Sequence, residues 1–393
     1  FNDLVPPELF FADHPEYYSE IDGVRTSDHA QLCLTNHEVF EIALGTLRCW
    51  IRENPNCNIF SISQNDGYGY CTCDHCRAID EAEGSPSATI ISFANKLATA
   101  IENEYPHILL HTFAYVYSTV PPKTIRPHRN VIVRICSFRC DYAKAFAETA
   151  FGDPTGGTAE FVNALKVWSK VSDRLYVWDY CTNFLHYLLP FPNLDSLQQN
   201  IRLYRDNKVK GVFMEGNFSQ GCGGGMAELQ AYIQARLMWH PDIDLWAEID
   251  DFLTGVFGNG APYIKRYLEL LQNAVHEHRL GIYDNPDAPY FTDTLVEEAD
   301  QLFCAADHAA ENERVRERIQ KEYLSVEYLQ LTRLPVDAHN RKQRMDAFAA
   351  RVRSFEISEL SERRYLEESL ANIRLSQYAR DIRKDSYCMY YRM

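Results

Sequence analysis

No stretch of this sequence approaches the roughly 20 consecutive apolar residues that a bilayer-spanning helix requires, so no membrane span is expected. There is no Lys/Arg run, and the net charge of −16 repels a phosphate backbone. Nucleic acid is therefore not an expected partner. No G-x-x-x-x-G-K-S/T segment occurs, and no glycine-rich phosphate turn follows any strand-like run, which argues against a nucleotide site. Internal repeats and low-complexity tracts are also missing.

What remains is an acidic chain of 393 residues, 46% hydrophobic, enough for one large domain or two ordinary ones. Twelve cysteines are too few for a disulfide scaffold at this length and too many to pass over. They do not settle the compartment. Aromatic residues make up 13% of the chain, with 24 Tyr and 5 Trp. Such a content suits a cleft in which rings stack on pyranose faces, and it suits a large aromatic core equally well.

Six short runs rich in β-branched or aromatic residues end in polar or glycine positions: AQLCLTN (30–36), NIFSISQND (58–66), LLHTFAYVY (109–117), NVIVRICSF (130–138), RLYVWDY (174–180) and KGVFMEG (210–216). Most are continuously apolar, as strands buried on both faces are. Helical patterns lie between most of them, giving right-handed βα units. The prolines of VPPKTIRP make the connection after the third run a loop. The expected fold class is α/β, a (β/α)8 TIM-type barrel. The six runs would be its strands 3 to 8, and strands 1 and 2 would lie upstream of Phe1, which is not a Met. An open doubly wound sheet is the alternative. Beyond about residue 242 strand signals stop and amphipathic helices are predicted over 244–257, 261–279, 292–307, 312–333, 338–357 and 361–380. The expected domains are a barrel over 1–241 and an all-α region over 242–393.

Barrel chemistry sits at the carboxyl ends of strands. Three carboxylates fall there: Asp66, Asp179 between Trp178 and Tyr180, and Glu215. Glycoside hydrolysis needs two such groups. One protonates the leaving oxygen; the other acts as nucleophile or base, or orients a substrate group that does. Each carboxylate also has a bland reading as a turn or helix cap. Tyr115, Tyr117, Trp178 and Tyr180 are expected to line the sugar subsites, with Asn65, Asn183 and His186 completing the substrate-binding set. His29, His37 and His111 read as isolated histidines. The glycine-rich SQGCGGGMAE (219–228) reads as a rim loop. Cys71, Cys73 and Cys76 form C-x-C-x-x-C around His75. Zinc, with Cys136 and Cys140 as a second pair, is one reading. A local disulfide, idle thiols and a mechanical staple for the Asp66 loop are the others.

Long segments (PPELFFADHPEYYSEIDGVR, QLCLTN, SISQNDGYGYCTCDHCRAIDE, PPKTIRPHRNVIVRIC, LYVWDYCTNFLHYLLPFPN and VKGVFMEGN) resemble a glycoside-hydrolase-like family first described as domain of unknown function 4838. That family is similar to glycoside hydrolase family 163, which has endo-β-N-acetylglucosaminidase activity on N-glycans, and more distantly to α-glucuronidases and β-hexosaminidases. The resemblance covers roughly residues 1–260. It implies a (β/α)8 barrel, here without the small α/β domain that usually precedes it, and a secreted, periplasmic or cell-surface location. Asp66 and Asp179 match positions that family keeps; at strand 8 the acidic position shifts, so Glu215 is third. The cysteine cluster belongs to the family pattern, which favours the staple. The implied enzyme is a retaining β-N-acetylglucosaminidase-type glycosidase acting on a glycan, with neither a cofactor nor a metal. An inverting α-glucuronidase-like glycosidase, using Arg134 or Arg139 for the sugar carboxylate, and a non-catalytic glycan-binding barrel are the rivals.

Overall fold

Alternating strands and helices are present as the apolar runs predict. The computed structural model describes residues 1–150, 152–221, 225–335, 338–362 and 364–375. In chain order the elements are α1 (Pro7–Phe10), β1 (Glu20–Ile21), β2 (Val24–Arg25), α2 (His37–Glu53), β3 (Ile59–Ser61), α3 (Asp74–Glu83), α4 (Ser87–Ile101), β4 (Leu109–Ala114) and β5 (Val131–Cys136). They continue with α5 (Phe146–Thr149), α6 (Gly157–Val171), β6 (Leu175–Tyr180), α7 (Leu194–Asp206), β7 (Gly211–Glu215) and α8 (Ala227–Trp239). Six more helices follow: α9 (Leu245–Phe257), α10 (Ala261–Val275), α11 (Asp293–Ala309), α12 (Glu313–Arg333), α13 (Arg341–Ser354) and α14 (Leu366–Leu375). The protein is thus mixed α/β with a helical C-terminal region. Residues 376–380 of the last predicted helix, and 222–224 of the glycine-rich run, lie outside the described residues. No helix of the described residues is long and apolar enough to cross a membrane.

The strands β3-β4-β5-β6-β7 form one sheet in that order, and the first three pairings are parallel. Five strands are described where a closed (β/α)8 barrel needs eight. The run 30–36, expected as a strand of that barrel, is not one. Its backbone groups are taken by two loops: Ser19 donates to Gln31 O, Cys33 to Tyr17 O and Gln31 to Gly69 O. Its apolar residues are buried by those loops, and burial alone produced the strand-like pattern.

The register sorts strand residues onto two faces. Leu110, Thr112 and Ala114 pair with Val131, Val133 and Ile135, and Val133 and Ile135 pair with Leu175 and Val177. All of these are essentially inaccessible, and α4 packs on β4 and β5. The opposite face carries Ser61 beside His111, Phe113 beside Arg134 and Tyr176, and Cys136 beside Trp178.

The chain divides into two compact units. One holds Phe1–Ser137, Glu160–Trp178 and Tyr204–Phe213; the other holds Phe138–Ala159, Asp179–Leu203 and the chain from Met214 onward. In the first, Trp168 is fully buried and donates its indole N–H to Thr119 O at 2.8 Å. In the second, a core of Leu324, Tyr328, Leu331, Met345, Phe348 and Val352 joins α12 to α13.

Glu322 of α12 is buried in this second unit and accepts the Met226 N–H at 2.6 Å. Burial pushes its carboxyl up to about 7. An acid whose folded pKa is raised holds its proton in the folded state after the unfolded chain has lost it. Its contribution to stability is therefore present at low pH and lost as pH rises from its ordinary value near 4.5 through 7. Denaturant titrations at pH 5 and pH 8 should show Glu322→Gln relieving a loss on the order of 3 kcal/mol seen in the parent protein. An unchanged pH dependence in the variant would contradict the assignment.

Candidate functional site

The carboxyl end of β3 runs into the loop that carries Asp66. This loop is held from several sides within the first unit. Gln31 reaches across with both ends of its amide: Asn65 N–H donates to Gln31 Oε1 at 2.7 Å, and Gln31 Nε2 donates to Asn65 O at 3.0 Å. The Asn65 side chain donates to Ala30 O at 2.8 Å and to Asn2 Oδ1 at 2.7 Å. Gln64 donates to Tyr115 O at 3.1 Å and accepts from Ser118 Oγ at 2.6 Å. The turn past Asp66 is made at Gly67, whose φ of 117° is one that side chains with a Cβ rarely adopt. The loop returns at Gly69, bridged to Ala30 so closely that a Cβ would stand 2.2 Å from His29 O.

Asp66 itself is exposed, and the Tyr115 hydroxyl donates to its Oδ1 at 3.1 Å. Tyr115 lies just past β4 and continues the ring-bearing face of the sheet. Phe113 packs against Tyr115 at 6.2 Å and against Trp178 at 5.4 Å, and Trp178 meets Phe213 at 4.6 Å. The Arg134 guanidinium lies over the Tyr176 and Trp178 rings at 5.8 and 5.6 Å, an arrangement that holds a cation against a π face. Deeper along β4, His111 Nδ1 meets Ser61 Oγ at 3.0 Å and Ser63 Oγ at 3.3 Å. Burial, with Arg134 nearby, lowers its pKa to about 3, so the ring is neutral at physiological pH. Its buried Nε2 has no hydrogen-bond partner among the described residues. Tyr117 stacks on Tyr70 at 4.8 Å.

The structure therefore brings together, in one unit, an exposed carboxylate, a tyrosine hydroxyl, a band of rings, a cation and a neutral imidazole. Sequence reasoning named Asp66, Tyr115 and Trp178, kept Arg134 for a rival reading and set His111 aside. The strand register is the signal that places His111 and Arg134 on the same face.

Asp179 belongs to the second unit and is 2% exposed. Strand alternation in β6 puts it with Leu175 and Val177, whereas Tyr176, Trp178 and Tyr180 face the other way. Its Oδ1 accepts the Tyr180 N–H at 2.9 Å. Tyr180 packs edge-on against Phe184 at 5.8 Å. Asn183 folds the loop after β6, accepting from Leu185 and His186 N–H at 3.0 Å and donating to Asp284 O at 2.7 Å. His186 is buried, bonds Tyr328 OH through Nδ1 at 2.6 Å, and has its pKa lowered to about 4 by burial. Glu215 ends β7, where its carbonyl accepts from Cys181 N–H at 3.0 Å.

The family described as "Domain of unknown function (DUF4838)" matches residues 1–269. The chain belongs to that family. No curated protein matches it. Among solved structures, a GH138 enzyme described as targeting pectin rhamnogalacturonan II is similar to this DUF4838 chain at 10% identity with a TM-score of 0.39. That likeness covers 89% of this chain and 59% of the enzyme, so the chain spans less than two thirds of that protein's length. So distant a likeness defines neither the fold nor the reaction.

The close approach at Gly69 offers a direct test of the loop. The atoms a Cβ would meet are backbone and cannot swing aside. Gly69→Ala should lower stability by ~1–3 kcal/mol, the usual cost of overpacking. An unchanged urea midpoint would show that the two segments do not lie together.

Proposed function

We propose that this chain carries the catalytic region of a glycoside hydrolase acting on glycans. The observation that carries the reading is Asp66, an exposed carboxylate at the carboxyl end of a parallel strand, hydrogen-bonded by Tyr115 above a sheet face of aromatic rings. A rim of this kind offers what glycosidic cleavage requires. The rings bind the apolar faces of a pyranose, and the tyrosine hydroxyl fixes the orientation of the carboxylate. A second acid is needed on the other side of the scissile bond. For it the sequence motifs nominate Asp179 first and Glu215 next.

The finer reading is a retaining β-N-acetylglucosaminidase. In it, the substrate's 2-acetamido oxygen attacks C1, one carboxylate orients the acetamide and the other protonates the leaving oxygen. What supports it is the similarity of the family to which the chain belongs to glycoside hydrolase family 163. A second reading is favoured by one observation: Arg134 stands on the ring-bearing face, half-buried, with burial lowering its pKa. A guanidinium so placed suits a uronic acid carboxylate, which would make the enzyme α-glucuronidase-like.

The test is incubation of the full chain with N-glycans and with uronic acid oligosaccharides, followed by product masses. Asp66→Asn should lower kcat by about 10²–10⁴-fold, the range for loss of an acid–base group, while glycan binding persists. Asp179→Asn and Glu215→Gln identify the second acid by the same measure. Arg134→Gln should abolish cleavage of uronic acid substrates only if the second reading holds. Glycan binding with no turnover in the parent chain would instead make this a non-catalytic glycan-binding protein and overturn the proposal.

A further inference from the structure

Cys33, Cys71, Cys73 and Cys76 converge in the first unit, and their sulfur atoms all lie within 4.8 Å of one another. Cys33 Sγ is 3.7 Å from Cys73 Sγ and 4.0 Å from Cys76 Sγ. A tetrahedral zinc with Zn–S bonds of about 2.3 Å sets its sulfurs about 3.8 Å apart. We infer that these four cysteines form a structural tetrathiolate zinc site that locks the loop carrying Asp66.

Three further observations point to a bound cation. The sulfurs make a buried cluster of their own, 1–6% exposed, with no aliphatic side chain among them. A cluster of that kind lacks the packing partners that make thiols ordinary core residues. The surrounding donors are those that anionic sulfur needs. Glu20 N–H donates to Cys71 Sγ at 3.3 Å, Arg25 Nη1 approaches the same sulfur at 3.6 Å, and Thr35 Oγ1 lies 3.2 Å from Cys76 Sγ. The last two cysteines sit at a helix start, Cys73 as the N-cap of α3 and Cys76 in its first turn, so one helix end presents two of the four sulfurs to the same point. Four thiolates around one divalent ion leave two net negative charges, and the Arg25 guanidinium offsets one of them. Four protein ligands fill the coordination sphere, so the role is structural and no position remains for substrate.

The site ties three separate segments. Cys33 lies in the stretch that holds Gln31 against Asn65; Cys71 and Cys73 close the Asp66 loop; Cys76 fastens α3. The hairpin β1–β2 covers the cluster, with Thr72 N–H and Oγ1 both donating to Glu20 O at 2.8 and 2.7 Å. The fourth ligand is Cys33, and the pair Cys136 and Cys140 takes no part in this cluster. The inference reverses the expectation of a metal-free protein. It stands independently of the reaction proposed above, because its readout is metal content.

The full chain purified without chelator should contain one zinc per molecule by plasma mass spectrometry. Cobalt exchanged into it should show the intense visible ligand-field bands and near-ultraviolet charge-transfer band of tetrahedral thiolate coordination. Cys33→Ser and Cys76→Ser should each reduce zinc content by at least tenfold. The cobalt spectrum is read on the unsubstituted chain, so a variant that fails to fold does not decide the matter. Absence of stoichiometric zinc, together with disulfides or freely alkylated thiols at these four positions, would overturn the inference. Iron in place of zinc would overturn the choice of metal.

Discussion

A parallel sheet presents its chemistry on the loops that leave its strands, so such a loop must be pinned by something other than strand pairing. In this protein the pin is the Gln31 side chain. Its oxygen accepts the Asn65 N–H and its nitrogen donates to the Asn65 carbonyl, so one side chain satisfies both backbone groups of the residue before Asp66. Gln31 is 2% exposed, and a buried amide pair of this kind is strongly destabilised by the loss of either member. The Gly69 bridge, the Asn65 side chain and the sulfur cluster extend the same attachment along the loop. Asp66 is thereby exposed and yet fixed in direction.

The other half of the site follows from strand register. A residue's partner on the next parallel strand points to the same side. The pairing of Arg134 with Phe113 on one side and Tyr176 on the other, and of Cys136 with Trp178, therefore assembles a face on which rings and a guanidinium meet. Its apolar counterpart is packed beneath α4. The division is chemical as well as geometric. One side of the sheet is closed by aliphatic packing, and the other carries groups suited to a polar, ring-shaped ligand.

Five of the six apolar runs were legible as strands because residues buried on both sheet faces leave an unbroken apolar signature. The helical periods from 245 onward were legible for the complementary reason, a single apolar stripe. The run 30–36 misled because burial by loops leaves the same signature as burial in a sheet. Helix α3 was hidden beneath its cysteines, although Gly84 in the left-handed region marks its end. Cys33 could not be joined to the C-x-C-x-x-C motif from spacing, since only the folded chain brings it there.

The central claim is that the Asp66 loop is a rigid part of the first unit. Hydrogen exchange of the full chain, resolved at the Gln31 and Asn65 amides, tests it most directly. Both N–H groups are hydrogen-bonded, to Gly69 O at 3.0 Å and to Gln31 Oε1 at 2.7 Å. They should exchange as slowly as the amides of β4, opening only with the unit as a whole. Exchange at the rate of an unprotected loop, while β4 stays protected, would contradict the account.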